Sequence, residues 1–188
     1  MKKLIAAACL ATVLALPVHA GEIADAGATA EALASEGKFD EALAALPEAQ
    51  AKLWDLRPMF VRQAFFVAAE PGGFGIYDKR ANSTFPKAEK LLIYAEPVGF
   101  GYNKEGELFV VDIAMDFDIL DPSGKSVAAQ QNFGSLGLKS QVPNREFFAK
   151  ITYDFSGLNA GNYTVVTTLN DKVSGESVNI TLPFTLTD

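Results

Sequence analysis

Apolar and polar residues alternate with a period of two from Glu107 to Leu120: Phe109, Val111, Ile113, Met115, Phe117 and Ile119 share one side, Asp112, Asp116 and Asp118 the other. Successive side chains of a strand point to opposite faces, so this run predicts a long half-buried strand. The same period returns in Phe147, Ala149, Ile151, Tyr153 and Phe155, and again in Val178, Ile180, Leu182, Phe184 and Leu186. Pro183 falls among the outward positions of the last run, which suits an edge or near-edge strand. "DPSG" at Asp121 to Gly124 is a turn signal that closes a hairpin into "KSVAAQQNF". With "MFVRQAFFVAA", "FGIYDKR", "EKLLIYAE" and "GNYTVVTTLN" the count reaches seven or eight strands, with no helical pattern between them. Each has one apolar face that only a second sheet can cover. The expected fold of residues 58–188 is therefore an antiparallel β-sandwich.

Before Pro58 the pattern is different. Residues 24–56 are rich in alanine, with Leu33, Leu43, Leu46, Leu53 and Trp54 at roughly helical spacing and no β-branched run. Gly37 suits a helix C-cap and Asp40 a second N-cap, which predicts a helical hairpin across residues 21–57. Pro47 fits the first turn of a further helix, "PEAQAKLWDL", better than a helix interior. In "GKFDEAL", Gly37, Phe39, Ala42 and Leu43 resemble the turn and second-helix start of a tetratricopeptide repeat. Such repeats stack in sets of about three, and one is present. The resemblance therefore implies a single hairpin that packs on the neighbouring domain.

"LNAGNYTV" at Leu158 to Val165 adds detail to the sandwich. A small-residue turn followed by Tyr163 is similar to the tyrosine corner of immunoglobulin-like and fibronectin type III-like domains, in which the phenol bonds back to the turn backbone. Asn159 and Gly161 take the turn positions. Val165 stands where antibody domains carry their second disulfide cysteine, so the core is expected to be held by packing alone. The resemblance implies an immunoglobulin-like sandwich, and the whole chain is similar to exported bacterial proteins that join a short helical hairpin to one such sandwich. Fold alone implies no activity.

Composition then restricts the chemistry. Residues 1–20, "MKKLIAAACLATVLALPVHA", combine two lysines, a short apolar run and small residues before the end, and read as a secretory signal peptide. A periplasmic location and no membrane insertion after cleavage are expected, since the apolar run is shorter than the roughly 20 residues a spanning helix needs. The chain's one cysteine, Cys9, and one histidine, His19, both lie in that segment. Residues 21–188 therefore offer no thiol nucleophile, imidazole base or Cys/His zinc site. They carry 14 Lys and Arg against 23 Asp and Glu, a net charge of −9 that disfavours nucleic acid as a partner.

Few residues remain for a site. Asp116, Asp118 and Asp121 offer oxygens of the kind Ca²⁺ takes, but their alternation with core residues already explains them as a solvated strand face. Glu70 and Glu96 are the best carboxylate pair for a hydrolase if they meet across a cleft. They sit in two near-copies of one stretch, "AEPGGFG" at Ala69 to Gly75 and "AEPVGFG" at Ala95 to Gly101. Both copies run on into strand or turn and contain no basic residue, unlike phosphate loops, so they read as two matching kinks near one end of the sandwich. Phe74, Tyr77, Tyr94, Phe100 and Tyr102 concentrate around them and are the candidate partner-binding residues. No metal, cofactor or enzymatic activity is expected. The expected partner is an envelope protein, held by the hairpin, a strand edge or the aromatic loops, with a glycan stacked on the aromatics as the alternative.

Overall fold

The structure is a computed structural model that describes residues 21–155 and 157–188; the expected signal peptide lies outside them. Among the described residues two helices, α1 (Glu22–Ser35) and α2 (Phe39–Asp55), precede nine strands: β1 (Phe60–Phe66), β2 (Thr84–Pro86), β3 (Leu91–Val98), β4 (Asn103–Glu105), β5 (Leu108–Leu120), β6 (Ser126–Ser140), β7 (Ala149–Tyr153), β8 (Gly161–Asp171) and β9 (Ser177–Thr187). The chain divides into two compact units between Leu53 and Trp54 rather than at Pro58.

In the first unit, α1 ends as its sequence dictates. Gly37 takes a left-handed conformation (φ 77°) while its N–H donates to Ala34 O and that of Lys38 to Leu33 O, both at 3.0 Å. This closes the orphaned carbonyls of the last turn. Asp40 is not the cap of α2. The helix starts one residue earlier, and Asp40 and Glu41 lie in its first turn, where carboxylates face the positive end of the helix dipole. Nor does Pro47 begin a third helix, because α2 runs through it. Pro47 is exposed, so the hydrogen bond it cannot donate is lost at a solvated turn, while the buried Ala42 and Ala49 keep one helical face continuous on either side of it. Lys52 reaches Glu22 at 2.5 Å, tying the last turns of α2 to the first of α1.

The second unit is built of two sheets, antiparallel except for the β2–β9 pair. A three-stranded sheet has the order β1-β3-β7, and a larger one the order β2-β9-β8-β5-β4, with β6 on the other side of β5. The apolar faces read from the sequence form the core. Ile93, Ile113, Ile119, Leu169 and Val165 are fully buried in one cluster with Phe85, Phe100 and Phe184. Mainly β with an N-terminal helical pair is thus the fold class.

Three elements differ from the sequence reading. "FGIYDKR" forms no strand; only the isolated bridges Val67↔Lys79 and Gly73↔Ile76 mark it, because Gly75 turns left-handed (φ 71°) within it. The three-residue strands β2 and β4 carry no period a sequence could display. β2 pairs in parallel with Thr185–Thr187 and so covers the end of β9. Pro183 therefore lies on a strand whose edge is partly closed, and among the described residues the fully open edge of that sheet belongs to β6.

Candidate functional site

The two near-copies of the glycine stretch have opposite fates. In the second, Phe100 is completely buried, 5.1 Å from the Trp54 ring and 5.3 Å from Phe147, and Trp54 Nε1 donates to Phe100 O at 2.8 Å. Tyr102 packs on Phe100 and Phe109 and donates its hydroxyl to Asn144 O at 2.9 Å. Burial pushes that phenol up to about 12, with the Arg145 cation working the other way. Phe100 has no exposed surface, and Tyr102 is half-buried. The kinks do not match either, since the positive φ falls on Gly75, the last residue of the first copy, but on Gly99 (φ 82°), before the phenylalanine, in the second.

The first copy lies over the outer face of the three-stranded sheet. Tyr94 is fully buried there, with Phe65 (5.5 Å), Phe148 (5.5 Å) and Tyr77 (4.6 Å) around its ring. Its hydroxyl accepts the Gly75 N–H at 2.8 Å and donates to Glu96 Oε1 at 2.6 Å, while Gln63 Nε2 donates to the same oxygen at 2.7 Å. Burial first, and the bond to Glu96 second, push the Tyr94 phenol up to about 12. Phe74 is half-buried, and Tyr77 is 37% exposed beside Ile76 at 64%. The aromatics are thus mainly a clamp that holds this loop to its sheet.

The candidate acids are similarly committed. Glu96 is 3% exposed, with both neutral donors on Oε1 and the Arg62 guanidinium 3.6 Å from Oε2. Glu70 pairs with Lys150 at 2.9 Å, and the lysine holds its carboxyl below the usual carboxylate range. A glycosidase acid requires the opposite shift. Asp116 accepts from Asn132 N–H and Asn170 Nδ2, Asp118 from Ser126 Oγ, and Asp121 from the Ser123 and Lys125 backbone of its own turn. These three point to three separate local bonds. Among the described residues no group of three acids, histidines or cysteines is placed to hold a metal ion.

What the sequence did not single out is the side of the sandwich where both sheets end. β6 pairs only with β5, and β7 only with β3, among the described residues. Their free edges flank a groove of about 450 Å³ whose apolar lining includes Phe117, Ala128, Phe133, Tyr153, Phe155 and Leu158. A bulge builds it. The β5–β6 register shifts between Met115 and Phe117, opposite Asn132, which adopts φ 50° and donates its N–H to Asp116 Oδ1 at 2.7 Å. The two extra residues on β6 turn Phe133 inward. There it meets Phe117 at 5.1 Å and stacks on Tyr153 at 5.2 Å, which in turn stacks on Phe155 at 5.2 Å. The Tyr153 hydroxyl shares a 2.6 Å bond with Thr167 Oγ1, and burial raises its pKa. An aromatic ladder from three strands thus forms the groove floor, with unpaired main-chain groups along its β6 wall.

β6 is also sparsely defended. Over fifteen residues it carries one charge, Lys139, which is engaged by Glu105. Exposed edges in natural sheets are ordinarily blunted by lysines or prolines against pairing with another strand. The only sequence signal for this was the polar, weakly periodic "KSVAAQQNFGSLGLKS", which reads as a strand without a defended outer side.

Tyr163, the third residue of β8, donates to Asn159 O at 3.1 Å and stacks on Phe184. No helix among the described residues is long and apolar enough to cross a membrane.

No protein-family model matches the chain, and no curated protein matches it. Among solved structures it is similar to CopC from Methylosinus trichosporium OB3b, at 22% identity over 66% of this chain and 93% of that one, with a TM-score of 0.31. It is also similar to the sporulation control protein Spo0M from Bacillus subtilis (10% identity, 70% of this chain, 50% of that one, TM-score 0.37). A third is the superoxide reductase (neelaredoxin) from Ignicoccus hospitalis (9% identity, 68% and 82%, TM-score 0.33). At these TM-scores none of the likenesses assigns chemistry to this chain.

Proposed function

We propose that the protein is a non-enzymatic binding module of the bacterial periplasm, in which an immunoglobulin-like sandwich takes an extended segment of an envelope protein as an added strand on β6. The carrying observation is the open, nearly uncharged edge of β6 beside the aromatic-floored groove. Strand addition uses main-chain hydrogen bonds for affinity and a side-chain pocket for selectivity, and that wall and floor supply both. The partner segment has alternating apolar side chains, one of which fills the groove over Phe133 and Tyr153.

The other parts of the reading have their own supports. The leader-like first twenty residues support export. The Tyr163 bond to Asn159 O supports the immunoglobulin-like assignment. The absence of cysteine and histidine after residue 20, with Glu70 and Glu96 tied to other side chains, supports a non-enzymatic role. Ala129 and Gln131 are exposed on β6. Changing both to lysine charges the edge without touching the core. Capture of an envelope protein by the tagged wild type, lost in Ala129→Lys/Gln131→Lys at unchanged stability, is the expected outcome. Equal capture by both proteins would contradict the proposal.

A further inference from the structure

The groove beside β6 has an apolar floor in an acidic setting. Among the described residues that line it, Asp154 alone carries a charge at neutral pH. It is exposed, and no ion pair among the described residues involves it. The groove follows the first half of β6, where Val127, Ala128, Gln130 and Phe133 line it, next to the turn that carries Asp121. The segments that build it, residues 108–133 and 151–158, hold five aspartates and one lysine. That lysine, Lys125, lies beside Asp121. The groove therefore meets its occupant with an uncompensated negative charge.

We propose that the strand received at β6 is basic: beside the apolar side chain that fills the groove over Phe133 and Tyr153, it carries a lysine or arginine that pairs with Asp154. The inference rests on the strand-addition reading and adds the chemistry of the partner. Side chains two apart on a strand share a face and lie about 7 Å from each other, so the neighbour of the apolar anchor also enters the groove. A lysine or arginine there lays its methylene stem along the aromatic floor and keeps its charged end at the rim, where Asp154 stands. A glutamate in that place sets like charges together, and a wholly apolar strand covers a carboxylate without supplying a partner; both are unfavourable. A second copy of the chain is a poor occupant for the same reason, since residues 21–188 bring a net charge of −9 to this acidic side. The field of the five aspartates also draws a basic segment in from a distance, so association is faster at low salt.

Two synthetic peptides test this. Both have the same alternating valine–threonine sequence around a central phenylalanine, and they differ only in carrying lysine or glutamate two residues after it. Each is titrated into the isotope-labelled protein while the backbone amide shifts of β6 are followed. The lysine peptide is expected to bind at β6 at least about tenfold more tightly than the glutamate peptide, with the gap narrowing as salt is raised. Asp154 is exposed, so Asp154→Lys leaves the fold intact and should reverse the order of the two peptides. Equal binding of both peptides at β6, or a preference that Asp154→Lys does not change, would overturn the basic-strand inference and leave strand addition standing. Peptides that shift no β6 amide, or that bind elsewhere on the molecule, would overturn strand addition itself and this inference with it.

Discussion

Tyr94 holds the loop from Ala68 to Arg80 through one oxygen. That hydroxyl accepts from Gly75 N–H and donates to Glu96, so Tyr94→Phe strands a backbone donor and removes one of the donors to a buried carboxylate. A loss of about 1–3 kcal/mol in urea unfolding is expected. The same oxygen sets a pH limit. A phenol that ionises near 10.0 when unfolded and at about 12 when folded contributes fully to stability below pH 10 and loses that contribution as the pH rises to 12. Tyr102 acts in the same direction. Unfolding measured at pH 8 and pH 11 should therefore show a marked loss at the higher value, smaller in Tyr94→Phe. Equal sensitivity in the two proteins would show that Tyr94 is not the titrating group. None of this was legible in the two glycine stretches. They are nearly identical over seven residues, and what separates Phe74 from Phe100 is Trp54, which arrives from 46 positions earlier in the chain.

Among elements, the glycines of the two stretches make a direct comparison. A Cβ at Gly101 would lie 2.8 Å from Val173 Cγ1 and 3.2 Å from the Ser174 backbone N, within the β8–β9 turn. Buried Asp171 fixes that turn by accepting from Gly101 N–H, Val173 N–H and Ser174 Oγ. Gly101→Ala must push the turn away and should cost about 1–3 kcal/mol. A Cβ at Gly75 meets nothing within 4 Å, so Gly75→Ala carries only the left-handed backbone penalty, about 1–2 kcal/mol. Chemical denaturation of the two variants, with a thermal scan of an additional Val173→Ala/Gly101→Ala double variant, checks the assignment: trimming Val173 should recover stability at Gly101. The strands with strong period two, β5, β7 and β9, were legible because burial on one face forces the alternation. The strands β2 and β4 were not, since three residues are too few to carry such a pattern. β6 was seen as a strand but not as an edge, because an edge is defined by which strand fails to arrive beside it.

For the molecule as a whole, the groove exists only because Phe117, Phe133 and Tyr153 come from three strands of two sheets and meet at the side where both sheets stop. Residue types and spacing predicted the sandwich and its core faces, but not which side would be left open. That side now replaces the aromatic loops as the expected binding surface, with Phe100 and Tyr102 assigned to packing. The most direct test is hydrogen exchange of β6 in the free protein and in the complex with the envelope protein that the wild type captures. An added strand closes the outward amides of Ser126–Ser140, so alternate amides along β6 should slow by about tenfold or more on binding while those of β9 stay unchanged. If β6 exchanges at its free rate in the complex and protection appears elsewhere, β6 is not the docking edge.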